Sequence, residues 1–155
     1  MNTDVSLGDA LTAFSILTGI LTFAVGYRYK NAAERRKRTF DLVLSVIEPG
    51  RPAHQVNIAF AGWLREGRTF PDDDVKPEED EVLVALLDQY DLIADVAERR
   101  VINPEMVVVH LGGRMRSAHS ALAGYISARR KRLGRPALYR SFERFVHERI
   151  GAREV

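Results

Sequence analysis

The chain has 155 residues, 46% of them hydrophobic and 28% charged, so it can form one compact domain but not two substantial ones. Its formal net charge is only +2, yet basic and acidic residues are collected in separate segments, which favours local charged surfaces over a uniformly basic protein. Because the chain contains no cysteine, disulfides, thiolate catalysis, iron–sulfur clusters and thiolate zinc sites are excluded.

The first predicted element is a membrane-spanning helix over residues 10–27. The segment ALTAFSILTGILTFAVGY carries no charge, and as a helix it would extend about 27 Å, close to the ~30 Å of a hydrocarbon core. Asp4 and Asp9 precede it, whereas the residues that follow it are mainly basic. The positive-inside rule therefore predicts a short extracytoplasmic N-terminus, residues 1–9, and a cytoplasmic location for the bulk of the chain.

Two alternatives compete with a membrane anchor. Ala24-Val25-Gly26 resembles a small-residue cleavage site, so the apolar segment could belong to a signal peptide. A signal peptide, however, carries its basic residues before the apolar segment, and here they follow it. The segment could also be a buried core helix of a soluble protein. The charge order favours the anchor.

Small residues form one stripe along the predicted span. They follow one another at intervals of four, three, four, three and four positions, and bulky residues such as Phe14 and Leu17 lie off the stripe. Such a stripe lets two helix backbones approach closely, and its heptad period predicts a left-handed crossing. A chance register of residues common in membrane helices is the alternative. The predicted packing residues are Gly8, Thr12, Ser15, Gly19, Thr22 and Gly26.

Residues 28–38 form a basic juxtamembrane segment in which only Glu34 is acidic. Basic residues in this position set topology, and each also contributes ~1 kcal/mol of attraction to an anionic leaflet. Tyr27 and Tyr29 lie where aromatic rings favour the headgroup boundary. The residues predicted to contact anionic lipid are Arg28, Lys30, Arg35, Arg36, Lys37 and Arg38.

Residues 39–150 are predicted to form a cytoplasmic helical domain, followed by a tail over residues 151–155. Thr39–Ile47 continues the first helix up to Pro49-Gly50, and a second helix covers Ala53–Glu66. Pro77, followed by four acidic residues, predicts the start of a third helix, because proline and carboxylates suit a helix N-terminus.

The second half of this domain begins with another N-cap signal, Asn103-Pro104-Glu105, and the predicted helix ends at Gly134. Gly112-Gly113 interrupts this segment, and the β-branched run MVVVHL before it leaves a strand as an alternative. Pro136 predicts the start of a last amphipathic helix. The predicted fold is therefore all-α: one N-terminal transmembrane helix that continues into a small cytoplasmic domain of about four helices.

Three segments carry a resemblance to a known family: ERRKRTFDLVL, VLVALLDQYDLIADVAERRVINPEMVVVHLGGRM and ARRKRLGRPALYRSFERFV. Together with the anchor, they make the chain resemble, from about Ala10 to Val146, the bacterial family described as domain of unknown function forty-seven-sixty. The resemblance implies a bacterial, membrane-anchored helical protein, and it favours helix over strand for Met106–Leu111. Together with the charge order around the predicted span, this predicts the bacterial inner (cytoplasmic) membrane as the location. The family has no assigned activity, so the resemblance implies no catalytic residue.

The remaining candidates for chemistry have simpler structural interpretations. A stripe of carboxylates on the third helix could bind a cation or a basic partner. Such a stripe is more often a solvated face, or is paired with arginines such as Arg114 and Arg116. His110 and His119 point nearly oppositely on one helix, and no ligand-like neighbours accompany His54 or His147, so no metal site is predicted. The stripe consists of Asp88, Asp91, Asp95 and Glu98.

Neither acyl transfer nor nucleotide binding finds a matching motif. Ser117 and Ser120 lie near His119 in sequence but point in different directions on a helix, and no nucleophile elbow frames them. A nucleotide site at MVVVHL-GG-RMRS would need a GxGxxG or P-loop pattern, and the sequence has neither.

A second basic cluster is a candidate partner surface. It lies near the predicted helix end at Gly134, where cations also complement the helix dipole. It could contact lipid headgroups or nucleic acid, but without interleaved aromatic residues or a recognition motif nucleic acid is the weaker option, and a solvated surface is the simplest interpretation. Its members are Arg129, Arg130, Lys131, Arg132 and Arg135.

The first functional hypothesis is a non-enzymatic, single-pass interaction or assembly protein without a cofactor. It would self-associate through its span and bind a cytoplasmic protein partner. The competing hypotheses are a membrane-tethered enzyme or effector acting on a nucleotide or lipid headgroup, and a tethered nucleic-acid-binding module. A polar pocket near His110, Gly112 and Arg114 would favour the enzyme.

Overall fold

The computed structural model describes residues 7–70 and 75–151, with side chains from Val25 onward. Within these ranges every regular element is helical: α1 Leu7–Ile47, α2 Pro52–Arg65, α3 Pro77–Glu98, α4 Pro104–Leu133, α5 Arg140–Phe145 and a π-helical turn, Val146–Ile150. The all-α class is therefore confirmed.

Helix α1 is continuous over 41 residues and ends at Ile47, just before the predicted stop at Pro49-Gly50. Gly50 adopts a φ of 89°, a conformation that side-chain-bearing residues rarely take. The chain divides into two compact units between Arg35 and Arg36. In the second unit, α1 contributes the buried residues Val43 and Val46 to the core.

No helix among the residues with described side chains is long and apolar enough to cross a membrane. Most of the predicted span, residues 10–24, lies outside those residues, and only Val25, Gly26 and Tyr27 fall inside them. The membrane span therefore stays a prediction.

Helix α3 lies at the centre of the second unit, packed between α2 and α5. It begins at Pro77 as predicted, and Glu78, Glu79 and Asp80 occupy its first turn, where carboxylates interact favourably with the positive end of the helix dipole. Its buried face follows helical spacing and supplies much of the core, namely Leu83, Leu86, Leu87, Tyr90, Ile93, Ala94 and Ala97.

Helix α4 starts at the predicted cap. The Asn103 side chain accepts hydrogen bonds from the backbone N–H groups of Glu105 and Met106, at 2.9 and 3.2 Å. The backbone N–H of Asn103 in turn donates to Thr39 Oγ1 at 2.8 Å, which ties α1 to the start of α4. The helix ends at Gly134, which is left-handed with a φ of 62°.

The predicted interruption of α4 at Gly112-Gly113 is wrong, as is the strand alternative for Met106–Leu111, because α4 runs unbroken through both. Gly112 is buried against the end of the chain, and a Cβ built there would lie 3.8 Å from the Ile150 side chain, which is an ordinary van der Waals distance. Neither glycine therefore breaks the helix.

The last helix begins later than predicted. Pro136 does not open a helix; residues 136–139 form a turn, and α5 starts at Arg140. Tyr139 takes a left-handed conformation with a φ of 59°, which a continuing helix could not accommodate. The turn ends in a buried aromatic residue, because Tyr139 is only 3% exposed.

Candidate functional site

The basic segment over residues 28–38, which the sequence predicts to follow a membrane span, is exposed along nearly its whole length. Every described side chain from Val25 to Arg38 is exposed except that of Asn31, which is half-buried. Tyr27 and Tyr29 are 59% and 80% exposed, although they are large aromatic residues. The six predicted lipid-contacting residues, Arg28, Lys30, Arg35, Arg36, Lys37 and Arg38, all belong to this exposed set.

The predicted packing stripe lies on α1, from Gly8 to Gly26. Gly26 is exposed, and a Cβ there would meet nothing within 4 Å. Side-chain surroundings are described only from Val25 onward, which leaves out the other five stripe residues, Gly8, Thr12, Ser15, Gly19 and Thr22.

The second basic cluster is engaged largely within the fold. Arg129 is 15% exposed, and it donates to both Asp80 oxygens at 3.2 Å and to the Tyr125 hydroxyl at 3.1 Å. Tyr125 donates to Asp80 at 2.5 Å. Burial alone would raise the pKa of Asp80, but the hydrogen bond from Tyr125 and the charge of Arg129 outweigh it, so the pKa lies below its usual range.

Arg130 fixes the turn that follows α4. It donates to the Leu138 carbonyl at 2.6 and 2.8 Å and forms an ion pair with Glu143 at 2.6 Å. Arg129 and Arg130 are both half-buried, so the exposed part of this cluster is Lys131, Arg132 and Arg135. Of these three, Arg132 also forms an ion pair with Asp80 at 3.5 Å.

The carboxylate stripe of α3 also has internal partners. Asp91 accepts a hydrogen bond from the Phe142 N–H at 2.8 Å, and burial raises its pKa. Glu98 forms an ion pair with Arg144. These contacts hold α5 against α3, so the stripe stabilises the packing of these two helices. Its partners in these contacts are Phe142 and Arg144, and not the expected Arg114 and Arg116.

Two histidines that are far apart in sequence meet in the fold. The rings of His119 and His147 lie 4.9 Å apart edge to face, and His119 also contacts Phe142 at 5.9 Å. Burial, followed by the charge of His147, lowers the pKa of His119. Among the described residues, no three side chains of the kinds that bind metals gather into a site.

A groove of about 360 Å³ opens between α2 and α4, with Tyr90 of α3 among its lining residues. Its lining combines apolar side chains with two arginines, Arg65 and Arg114. The sequence hypothesis asked for a pocket near His110, Gly112 and Arg114, but of these three residues only Arg114 lines the groove. His110 is exposed, and Gly112 packs toward Ile150 instead.

A buried hydrogen-bond network forms the polar part of this groove. The Tyr90 hydroxyl donates to Asn57 Oδ1 at 2.5 Å, and Asn57 Nδ2 donates to the Ala53 carbonyl at 2.8 Å and to Gln89 Oε1 at 3.0 Å. Burial raises the pKa of Tyr90 to about 12, opposed by the charge of Arg114. Tyr90 is therefore a neutral phenol at physiological pH.

The sequence interpretation missed the groove residues Asn57, Tyr90 and Arg65. One signal was available for Asn57: it falls three positions before Phe60 on the apolar face of α2, where a polar side chain needs a partner. No signal in the sequence places Arg65 near Arg114.

These features define a small all-α protein whose folded unit carries a cationic groove and whose first helix begins outside that unit. A family model described as Domain of unknown function (DUF4760) matches residues 9–148, and the chain belongs to that family. The resemblance found in the sequence is thereby confirmed. No match was found among curated proteins or among solved structures.

Proposed function

We propose that this protein is a single-pass, membrane-anchored interaction module, with residues 10–27 in the membrane and the helical unit on the cytoplasmic side. The observation that supports this proposal is the change in exposure along α1. Residues 25–38 expose tyrosines and basic side chains, whereas Thr39, Val43 and Val46 are buried. A helix that leaves a membrane before entering a folded domain needs this order of surfaces.

The exposed surface near the end of α4 is the proposed contact for a protein partner. Lys131, Arg132 and Arg135 are exposed there. The internal pairing of Arg129 and Arg130 interrupts the basic surface, which weakens the nucleic-acid alternative. We accordingly expect an acidic protein segment as the partner.

Membrane fractionation and topology reporters test the anchor. The full-length protein should stay in the membrane fraction after high-salt and alkaline washes, because burial in hydrocarbon is insensitive to screening. A reporter after Val155 should be active only if it functions in the cytoplasm. Release by the wash, or a mature protein whose mass lacks residues 1–26, would overturn the proposal.

A charge variant provides the matched control. Replacing Arg35, Arg36, Lys37 and Arg38 with glutamate should weaken or invert the topology signal while the protein stays resistant to washing, because positive charge sets orientation and the apolar segment sets anchoring.

A further inference from the structure

The groove between α2 and α4 has the dimensions of a small-molecule site. Its volume of about 360 Å³ falls in the range of ~300–1,000 Å³ that is typical of ligand pockets. It is open to solvent through exposed positions on both helices, including Ala61 on α2 and Gly113 on α4. A ligand could therefore enter without displacing a packed core residue.

One wall of the groove is apolar. Ile58, Ala61 and Leu64 lie on α2 at spacings of three residues, so they share a helix face, and Phe60 adds an aromatic ring. Ile58 is 49% exposed, which is high for a large aliphatic residue. Covering this wall would remove apolar surface from water, so it suits the hydrocarbon body of a ligand.

The two arginines face a groove that contains no acidic residue. Arg65 comes from α2 and Arg114 from α4, and neither forms an ion pair with any residue that the structure describes. Arg65 uses only its Nε, which donates to the Ala61 carbonyl at 3.2 Å. By contrast, Arg68, three residues further on, is held in a two-point ion pair by Glu79. The groove thus concentrates uncompensated positive charge beside an apolar wall.

The polar floor of the groove contributes no negative charge. The Tyr90 proton is committed to Asn57, and both Asn57 amide protons are used by Ala53 and Gln89. His54 Nδ1 lies 3.3 Å from the Val46 carbonyl, which can only accept, so Nδ1 carries a proton and Nε2 is left for a ligand. Because the Tyr90 and Asn57 protons are already used within the protein, we assign selectivity for a negatively charged ligand to the two arginines.

We propose that this groove binds a small organic anion, with an apolar body against α2 and an acidic group between Arg65 and Arg114. Guanidinium groups bind carboxylates and phosphates through paired, charge-assisted hydrogen bonds. This inference goes beyond the proposed function and does not depend on the anchor, so the two can fail separately.

The test is an NMR titration of the full-length protein in a zwitterionic detergent, which keeps the chain in solution whether or not residues 10–27 span a membrane. The probes are 2-naphthoate, its neutral analogue 2-naphthalenemethanol, and inorganic phosphate. We expect 2-naphthoate to bind and to shift the backbone amide resonances of Gly113 and Ser117. The neutral analogue and phosphate should each bind at least tenfold more weakly, because each lacks one of the two recognised features.

Variants locate the site. Arg65→Gln and Arg114→Gln should each weaken 2-naphthoate binding about tenfold, and Ala61→Trp should block it by filling the groove. Arg140→Gln is the matched control, because Arg140 is exposed on α5 and does not line the groove. Circular dichroism of each variant establishes that the fold is retained.

Three outcomes would overturn the proposal: no 2-naphthoate binding at millimolar concentration, equal binding of the neutral analogue, or equal affinity in folded Ala61→Trp and Arg140→Gln.

Discussion

Asn57 and Tyr90 form a buried polar pair whose strength is measurable. Replacing Asn57 with Leu leaves the Tyr90 hydroxyl without its acceptor, and an unsatisfied buried hydroxyl costs roughly 1–3 kcal/mol. We therefore expect the free energy of unfolding, from urea denaturation followed by circular dichroism, to fall by about that amount.

The double variant with Tyr90→Phe is the control for this pair. It removes both partners, so its loss of stability should be clearly smaller than the sum of the two single losses. Strictly additive losses would show that the hydrogen bond between the two side chains contributes nothing.

His119 should make stability depend on pH. Its pKa is lowered from the ordinary value of 6.5, so the folded protein resists a proton that the unfolded chain accepts. The stabilising contribution is thus complete above pH 6.5 and is lost as pH falls through the interval down to the folded-state pKa. The groups facing His119 are His147, Glu143 and Arg130.

Thermal unfolding at pH 7.5 and pH 5 checks this prediction. His119→Phe should reduce the drop in Tm on acidification, because the residue that resists protonation is gone. His110→Gln, at an exposed position of the same helix, should leave the drop unchanged. An identical pH dependence in both variants would assign the effect to other groups.

Residue-level partners were the least predictable part of the molecule. The acidic stripe on α3 could be found from its spacing, but its partners Phe142 and Arg144 lie more than forty positions along the chain. Arg129 and Arg130 read as a surface cluster because they are adjacent in sequence, yet each meets a carboxylate from another element. Sequence spacing predicts which residues are neighbours on one helix, but it does not predict which residues meet across two helices.

Helix ends were predictable wherever local chemistry determines them. Pro77 and Asn103 mark starts, and Gly134 marks an end, because each supplies a fixed φ, a cap or a left-handed conformation within a few residues. The start of α5 was missed because it depends on the turn held by Arg130, which is a contact between elements. Pro136 alone does not predict that α5 starts at Arg140.

The C-cap at Gly134 provides a prediction about an element. Alanine at this position would have to adopt a φ near 62°, and no neighbouring atom lies within 4 Å, so the strain is in the backbone alone. We expect Gly134→Ala to lower the free energy of unfolding by about 1 kcal/mol.

Gly124→Ala is the matched substitution, and it should have the opposite sign. Gly124 is exposed inside α4 with open space around it, so alanine should stabilise the helix by roughly 0.8–1 kcal/mol. Urea denaturation of the two variants measures both effects. Losses of similar size at both positions would contradict a conformational origin.

At the scale of the whole molecule, the number and order of helices could be predicted, whereas the groove could not. The groove is lined by residues of α2 and α4 together with Tyr90 of α3. The apolar spacing within one helix does not predict how far that helix lies from another. The all-α class, by contrast, depends on apolar spacing and caps that each helix carries itself.

Self-association through the span is a prediction about the assembled molecule. Gly19→Leu places a branched side chain in the small-residue stripe and should weaken dimerisation in a membrane-based reporter assay, by about 1 kcal/mol. Ile20→Leu is the control, because it is off the stripe and nearly conserves volume. Equal dimer signals would show that the stripe is coincidental.

The burial of Phe142, Phe145 and Ile150 sets the order in which the domain can fold during synthesis. These residues cover α3 and α4, yet they leave the ribosome after both helices. At 5–20 residues per second, the interval between Glu98 and Ile150 lasts roughly 3–10 s, during which the part of α3 that packs against α5 lacks its cover. Folding of the nascent chain is therefore completed late. Until α5 and the π-helical turn leave the ribosome, the growing polypeptide exposes an apolar surface of α3 that is prone to aggregation.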